Sequence, residues 1–189
     1  MGLGNPGPGY ARNRHNVGFR CVDLLARRHG IGWDRRTLYQ YGQGAIEGVE
    51  VVLAKPRTFM NLSGQAVSAL TRTYRLQPTD ILVVHDELDL PLAKLRFKAG
   101  GSPAGHRGLE SIIAALGSRD FPRLRVGIGR PPGAEGLPPE AKSEATAAYV
   151  LGDFPPAEER LIQEAVALAA EAVDCFVSEG MAAAMARYH

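Results

Sequence analysis

Three residues of this 189-residue chain, Asn5, His15 and Asp86, have side chains suited to hydrolytic chemistry. A carboxylate beside a histidine orients the imidazole and stabilises its protonated form. A histidine oriented in this way can take a proton from water, and an asparagine amide can hold water or a peptide group by hydrogen bonds. No serine nucleophile motif occurs, and neither cysteine belongs to the segments that carry these residues. A covalent nucleophile is therefore not indicated, and His15 with Asp86 is a candidate acid–base pair; a structural or merely exposed histidine is the alternative.

The segment Gly2-Leu3-Gly4-Asn5-Pro6-Gly7 formally matches the dinucleotide-binding fingerprint G-x-G-x-x-G. That fingerprint works by opening a helix whose N-terminus faces the pyrophosphate. Here a further proline and glycine follow, and helical periodicity resumes only near Asn16. A strand that ends in a tight loop and presents Asn5 at the carboxyl edge of a sheet is the better interpretation. A nicotinamide-dependent oxidoreductase is the less favoured alternative.

The run His85-Asp86-Glu87 directly follows an apolar segment and suggests a metal site. Adjacent side chains of a strand point to opposite faces, so His85 and Glu87 can share a face that Asp86 cannot join. No further cluster of ligand residues is evident. We therefore expect no metal site and no organic cofactor.

Basic residues alternate along two candidate strands, Lys94, Arg96 and Lys98 on one and Arg123 and Arg125 on the other. Residues 1–132 hold 19 Lys and Arg against 10 Asp and Glu, a charge of +9, whereas residues 133–189 hold 3 against 10, a charge of −7. This asymmetry favours a polyanionic partner and phosphate contacts. Charge protection of an edge strand, with an acidic solvated helix elsewhere, is the alternative.

Periodicity predicts an α/β fold in one domain, residues 1–189, with a twisted, mixed but mostly parallel sheet and helices on both faces. The continuous apolar run 81–84 is typical of a strand buried on both faces. Residues 100–107 and 130–146 are rich in turn-forming residues and are predicted to be mobile loops. Helices are predicted over residues 16–29, 63–75, 108–116 and from 156 onward, and strands over 37–46, 49–54, 81–84, 94–98 and 124–128.

The composition, 45% hydrophobic and 22% charged, is that of an ordinary globular protein. No apolar run approaches the ~18 residues that cross a membrane, and the N-terminus lacks the pattern of a secretion signal. The two cysteines are far apart in apolar segments, which favours buried, reduced thiols. We expect a cytoplasmic monomer with no membrane partner.

Six segments and Tyr10, taken together, resemble bacterial peptidyl-tRNA hydrolase, and they occur in that family's order over most of the chain. They are GLGNPG with the following Tyr10, RHN at 14–16, TFMNLSG at 58–64, HDELDLP at 85–91, GHRGL at 105–109 and RLRVGIG at 123–129. The resemblance implies a single-domain α/β enzyme that cleaves the ester between a peptide and the 3′ ribose of tRNA, with peptidyl-tRNA as its partner and no cofactor. A non-catalytic RNA-binding protein of the same fold is the alternative.

The resemblance also implies roles for individual residues. His15 matches the catalytic base, Asp86 the carboxylate that supports it, and Asn5 the asparagine that holds the site geometry. Residues implied to bind the peptide or the tRNA end are Tyr10, Phe59, Met60 and Asn61, and the pair implied to grip the tRNA 5′ phosphate is Lys98 and Arg125.

Two features depart from the family pattern. Arg107 stands where the family has an asparagine that binds substrate, and arginine can only donate hydrogen bonds. We therefore expect Arg107 to contact a phosphate or a base of the tRNA 3′ end. The family also has several apolar residues ahead of GLGNPG, so the resemblance implies that further residues precede Met1.

Overall fold

A computed structural model describes all residues from Met1 to His189. Six strands and six helices occur along the chain, and the predicted α/β class is confirmed. The strands are β1 Asp34–Arg35, β2 Tyr39–Ile46, β3 Val49–Pro56, β4 Val83–Glu87, β5 Leu95–Lys98 and β6 Arg123–Gly127. The helices are α1 Val17–Arg28, α2 Ser63–Tyr74, α3 Arg107–Leu116, α4 Pro139–Val150, α5 Pro156–Glu179 and α6 Met181–Tyr188.

The strands form two three-stranded sheets, in the orders β1-β2-β3 and β4-β6-β5. The first sheet is antiparallel, and in the second β4 runs parallel to β6 while β5 runs antiparallel to it. The prediction of a mixed sheet is confirmed, but that of a mostly parallel one is wrong. The physical reason is that only residues 88–94 connect β4 to β5. A strand that returns parallel to the one before it needs a crossover of about a dozen residues or more.

Helices cover both faces of the β4-β6-β5 sheet, as predicted. The larger core lies between this sheet and helices α1 and α5, and its members include Val17, Leu124, Val126 and Ile162. A smaller core lies under α2 and α3 on the opposite face. No helix has the length and apolar character needed to span a bilayer. Both cysteines are buried and unpaired, as predicted, and burial raises the pKa of the Cys21 thiol to about 12.

The segment predicted as a loop over residues 130–146 is helical from Pro139 onward, where α4 begins. A proline is tolerated in the first turn of a helix because the amide hydrogen that it lacks has no partner there. The residues that follow are mostly alanine, glutamate and lysine, which favour helix. The prediction gave too much weight to the prolines and glycines at the start of the segment.

One close contact brings the predicted site residues to the same edge of the sheet. A Cβ atom on Gly18 would lie 2.3 Å from the carbonyl oxygen of Val84 and 2.6 Å from the amide nitrogen of Leu3. Only glycine allows the first turn of α1 to approach β4 and the N-terminal segment so closely. The turn before α1, which carries His15, therefore lies beside the end of β4.

The two sheets are joined through the N-terminal residues, and an apolar cleft separates them beyond Met1. The Gly2 amide donates to the Ala54 carbonyl on β3 (3.0 Å), and the Val84 amide on β4 donates to the Met1 carbonyl (2.8 Å). The cleft has a volume of about 980 Å³ and is lined mostly by apolar side chains of β3, the segment 81–84 and α5. The Met1 ammonium donates to the Leu82 carbonyl inside it, and burial lowers the pKa of this group to about 5.

We predict that about five β-forming apolar residues joined to Met1 raise the melting temperature. They would replace a buried amine by an amide and would pair with β3 and the segment 81–84. A serine- and glycine-rich extension of equal length replaces the amine but leaves the cleft unfilled, so it is the control. The melting temperature with the apolar extension should exceed that of the control by at least about 2–4 °C, the shift that ~1 kcal/mol produces in a chain of this size. Equal melting temperatures, measured by circular dichroism, would show that the cleft does not accept a strand.

Candidate active site

The Asp86 carboxylate is the centre of the site. Asp86 lies on β4 and is 2% exposed. His15 Nδ1 lies 2.8 and 2.9 Å from its two oxygens, and His106 Nε2 lies 2.9 Å from Oδ1. Burial alone would raise the pKa of this carboxyl, but the two histidines lower it to well below its usual range. The carboxylate is therefore charged throughout the neutral pH range.

His15 is held as the sequence predicts, beside Asp86 and at the entry to α1. Because the carboxylate can only accept, Nδ1 of His15 carries the hydrogen and Nε2 is left with a lone pair. Burial lowers the pKa of His15, but the charge and hydrogen bond of Asp86 outweigh burial and raise it overall, while the charge of Arg107 opposes the rise. Neutral His15 is thus a base of increased strength.

His106 completes the cluster, and the sequence analysis assigned it no role. It is the N-cap of α3, where its Nδ1 accepts a hydrogen bond from the Leu109 amide (3.4 Å). Its Nε2 therefore carries the hydrogen that is donated to Asp86. The sequence indicates this residue only through its position, directly before the residues predicted to form α3 and within the segment GHRGL.

The nitrogen and oxygen atoms of His15, Asp86 and His106 lie within 4.8 Å of one another, close enough for a metal ion. The hydrogen-bond pattern does not fit a ligand set, because a metal ligand must present a lone pair. His106 Nδ1 is occupied by the Leu109 amide, and its Nε2 then bears a hydrogen. His15 Nδ1 likewise donates to the carboxylate. The cluster fits proton transfer better than metal binding.

The metal candidates named from the sequence separate in the structure. His85 is 1% exposed, and its Nδ1 lies 2.7 Å from the carbonyl oxygen of Asp86. Burial, with the neighbouring His106, lowers the pKa of His85 to about 3, so this side chain is neutral. Glu87 instead pairs with Arg125 at 3.6 Å. The His85 ring packs edge-on against the His106 ring, with 4.9 Å between the ring centres, and so supports the cluster on the side away from the pocket.

Asn5 is fixed by hydrogen bonds to its backbone and to its side-chain oxygen, and its NH₂ group has no protein partner. The Met60 amide donates to its Oδ1 (2.8 Å), which identifies the oxygen end of the side chain. Asn16 holds the Asn5 backbone from both sides, accepting from its amide (2.8 Å) and donating to its carbonyl (2.9 Å). The bond from Met60 therefore orients the side chain so that its NH₂ group is the one available to a bound substrate.

These residues open into a pocket of about 630 Å³. Of the residues expected to bind substrate, five line it: Tyr10, Phe59, Met60, Asn61 and Arg107. The Phe59 side chain is exposed and packs edge-on against Tyr10 at 6.1 Å, whereas Met60 is buried. Helix α4 forms the opposite wall, with Lys142 and Thr146 among its lining residues. Because this segment was predicted as a loop, the sequence analysis missed that wall.

Lys98 and Arg125 lie outside the pocket, on a basic face of β5 and β6. Lys98 pairs in register with Arg123, so Lys98 and Arg125 are diagonal neighbours on one face. Arg123 itself is 1% exposed, and its guanidinium donates to the carbonyls of Gly101 (2.5 Å) and Ser102 (2.7 Å). The expectation that Arg123 forms part of a phosphate-binding stripe is therefore wrong, because its charge is used to hold the loop before α3.

The chain folds as a single α/β domain whose pocket holds a histidine paired with a buried carboxylate, an arrangement suited to hydrolysis. The family model for peptidyl-tRNA hydrolase matches residues 1–189. Peptidyl-tRNA hydrolases of Chloroflexus aggregans and Chloroflexus aurantiacus are 49% and 51% identical, over all of this chain and 97% of theirs. The crystal structure of peptidyl-tRNA hydrolase from Acinetobacter baumannii has a TM-score of 0.89 at 39% identity, covering 98% of this chain and 90% of that one. The chain belongs to the peptidyl-tRNA hydrolase family.

The charges around His15 predict opposite shifts in the acidic limb of the pH–rate profile. The limb reports protonation of the free base, which inactivates it. Asp86→Asn removes the charge that raises the pKa of His15, so the limb should move to lower pH while the maximal rate falls. Arg107→Ala removes a charge that lowers this pKa, so the limb should move to higher pH. If the acidic limb of the kcat/KM profile moved in the same direction in both variants, this electrostatic assignment would be wrong.

Proposed function

We propose that this chain hydrolyses the ester bond between the peptide and the 3′ ribose of peptidyl-tRNA and so recycles tRNA for translation. The observation that carries the proposal is the hydrogen-bonded pair of His15 and Asp86 at the base of a pocket in a chain of this family. The intact set Asn5, His15 and Asp86 favours catalysis over a non-catalytic RNA-binding role. A monomeric state and a cytoplasmic location stay predictions.

In the mechanism, Nε2 of neutral His15 takes a proton from a water molecule as that water attacks the ester carbonyl carbon. Asp86 holds the His15 tautomer that leaves Nε2 free and stabilises the imidazolium as it forms. The same imidazolium then returns the proton to the departing ribose oxygen. A general base placed in this way contributes a factor of ~10²–10⁴.

Asn5 supplies a hydrogen-bond donor to the reacting carbonyl group. Its Oδ1 accepts from the Met60 amide, whereas its NH₂ group has no protein partner and is free to donate to the substrate. Carbonyl oxygen gains negative charge when water adds, and a donor already held in place stabilises that charge without reorganisation. The two hydrogen bonds to Asn16 keep the Asn5 backbone in position.

Two chemically different surfaces receive the two ends of the substrate. The rings of Phe59 and Tyr10 suit the terminal base and ribose, because aromatic rings stack on bases. The Asn61 amide suits the peptide, because it can form hydrogen bonds with backbone groups. Lys98 and Arg125, on the neighbouring basic face, suit the 5′ phosphate. Arg125 also pairs with Glu87, which lines the pocket, so the two surfaces adjoin.

The first prediction from this function concerns His15. The wild-type protein should hydrolyse N-acetyl-aminoacyl-tRNA and leave the unblocked aminoacyl-tRNA nearly untouched, and the activity should persist in EDTA. His15→Ala should lower kcat by ~10²–10⁴ because water then lacks its base. Release of N-acetyl-amino acid gives the rate, and circular dichroism checks folding. A folded and fully active His15→Ala variant would remove the proposed base, and activity that EDTA abolishes and zinc restores would overturn the metal-free mechanism.

The second concerns the basic face. Lys98→Ala and Arg125→Ala should raise KM and flatten its dependence on salt, because each lost phosphate contact releases about one counterion fewer. Arg160→Ala, on the exposed surface of α5, is the matched control and should change neither quantity. Removing the 5′ phosphate from the tRNA should reproduce the effect of both variants. An unchanged KM for the dephosphorylated tRNA would contradict the contact.

The third concerns Arg107, which is exposed at the start of α3 and lines the pocket. If its guanidinium contacts the tRNA 3′ end, Arg107→Ala should raise KM both for full-length substrate and for a short CCA-end substrate. Arg107→Asn should behave like Arg107→Ala on the salt dependence, because neither carries a charge. Wild-type KM values and salt slopes in both variants would assign Arg107 to the solvated surface.

A further inference from the structure

We propose that Arg14 is a positioning residue that fastens the α4 wall of the pocket to the turn carrying His15. The proposal rests on the function proposed above, because it concerns the binding of substrate at that site. Arg14 is the residue just before His15, yet its side chain faces away from the site and is only 9% exposed. A buried guanidinium is costly unless it is paired, so its partners show what it holds.

The partners of Arg14 belong to the junction between α4 and α5. Its Nη1 donates to the carbonyls of Tyr149 (3.4 Å) and Asp153 (3.0 Å), and its Nη2 donates to the Glu158 carboxylate (3.0 Å). The guanidinium also lies 4.1 Å from the centre of the Tyr149 ring. One side chain thereby binds the last turn of α4 and the first turn of α5.

This contact has the chemistry of a helix C-cap. The last carbonyls of a helix have no partner within the helix, and a cation placed there also interacts favourably with the helix dipole. The Arg14 amide adds a bond to the Gly152 carbonyl (3.0 Å). The neighbouring Asn13 donates to the Asp153 carboxylate (2.8 Å). The turn that carries His15 and the end of α4 are therefore joined by backbone and side chains together.

Helix α4 needs such an anchor because little else holds it. Val150, in its last turn, is the only buried residue of the helix. The Tyr149 hydroxyl, in the same turn, donates to the Ile128 carbonyl after β6 (2.7 Å). The preceding turns reach over the pocket, where Lys142 and Thr146 line it. Loss of the anchor should therefore loosen α4 along its whole length.

His15 has separate supports that Arg14 does not provide. Its ring is bonded to Asp86, and the next residue, Asn16, is bonded to the Asn5 backbone in both directions. Removing the Arg14 guanidinium should therefore loosen the wall while leaving the base in place. This difference predicts an effect on substrate binding that exceeds the effect on the chemical step.

The test compares Arg14→Gln with Arg20→Gln as the matched control. Arg20 forms an ion pair with Glu159, the residue after Glu158, and has no hydrogen bond or ion pair with α4. Amide hydrogen exchange in residues 139–150 should quicken at least ~10-fold in Arg14→Gln and stay at the wild-type rate in Arg20→Gln, since local opening raises exchange only where it occurs. This arm needs no substrate, so it judges the anchor even if the chain does not hydrolyse peptidyl-tRNA.

Kinetics on N-acetyl-aminoacyl-tRNA form the second arm. Arg14→Gln should raise KM ~3–10-fold and change kcat less than twofold, which is the pattern of lost ground-state and transition-state binding alike. The acidic limb of the pH–rate profile should not move. Arg14→Lys should restore part of the exchange protection, because an ammonium can still bind one of the carbonyls.

Glu158→Gln, which removes the carboxylate charge paired with the Arg14 guanidinium, keeps the test decisive if Arg14→Gln does not fold. It should quicken exchange in the same residues, 139–150, by a smaller factor. Exchange that stays unchanged there in both variants, or that quickens equally throughout the chain, would overturn the proposal. A fall in kcat at constant KM would also overturn it, because Arg14 would then act on His15 rather than on the wall.

Discussion

A single buried carboxylate sets the constraint on which the rest of the site depends. Asp86 is charged inside the protein, and such a charge persists only where donors compensate for its lost hydration. His15 and His106 provide those donors, and both must then present a hydrogen to Asp86. The tautomers of the two rings, and so the free lone pair on His15, follow from the need to satisfy this one group.

The donors come from elements on different sides of the sheet, which explains how the fold is built around the site. His15 enters from the turn before α1, at the edge of the larger core, and His106 from the cap of α3, beside the smaller one. Close packing at Gly18 brings α1 against β4. The cluster therefore forms only when both cores are packed, even if each helix and strand forms on its own.

Two buried arginines serve the surroundings of the cluster in the same physical way. Arg123 binds the carbonyls of the loop before α3, and Arg14 binds the carbonyls at the end of α4. Both segments border the pocket and have few apolar residues of their own to bury. A rigid guanidinium with several donors can satisfy carbonyls that no strand or helix pairs. Polar anchors of this kind shape the pocket where the hydrophobic core does not extend.

The sequence by itself determined the α/β class, the positions of most helices and strands, and the segments whose order identifies the family, because these depend on local periodicity and on residue type. It also placed His15 and Asp86 together. Only the tertiary structure decided that His106 shares the carboxylate, that the Asn5 oxygen is bonded to Met60, that Arg123 is buried and that α4 forms a wall. The reason is physical. Each of these features depends on contacts between residues far apart in the chain, such as Asn5 with Met60 or Asp86 with His106. No local sequence pattern shows which partner a polar group will meet.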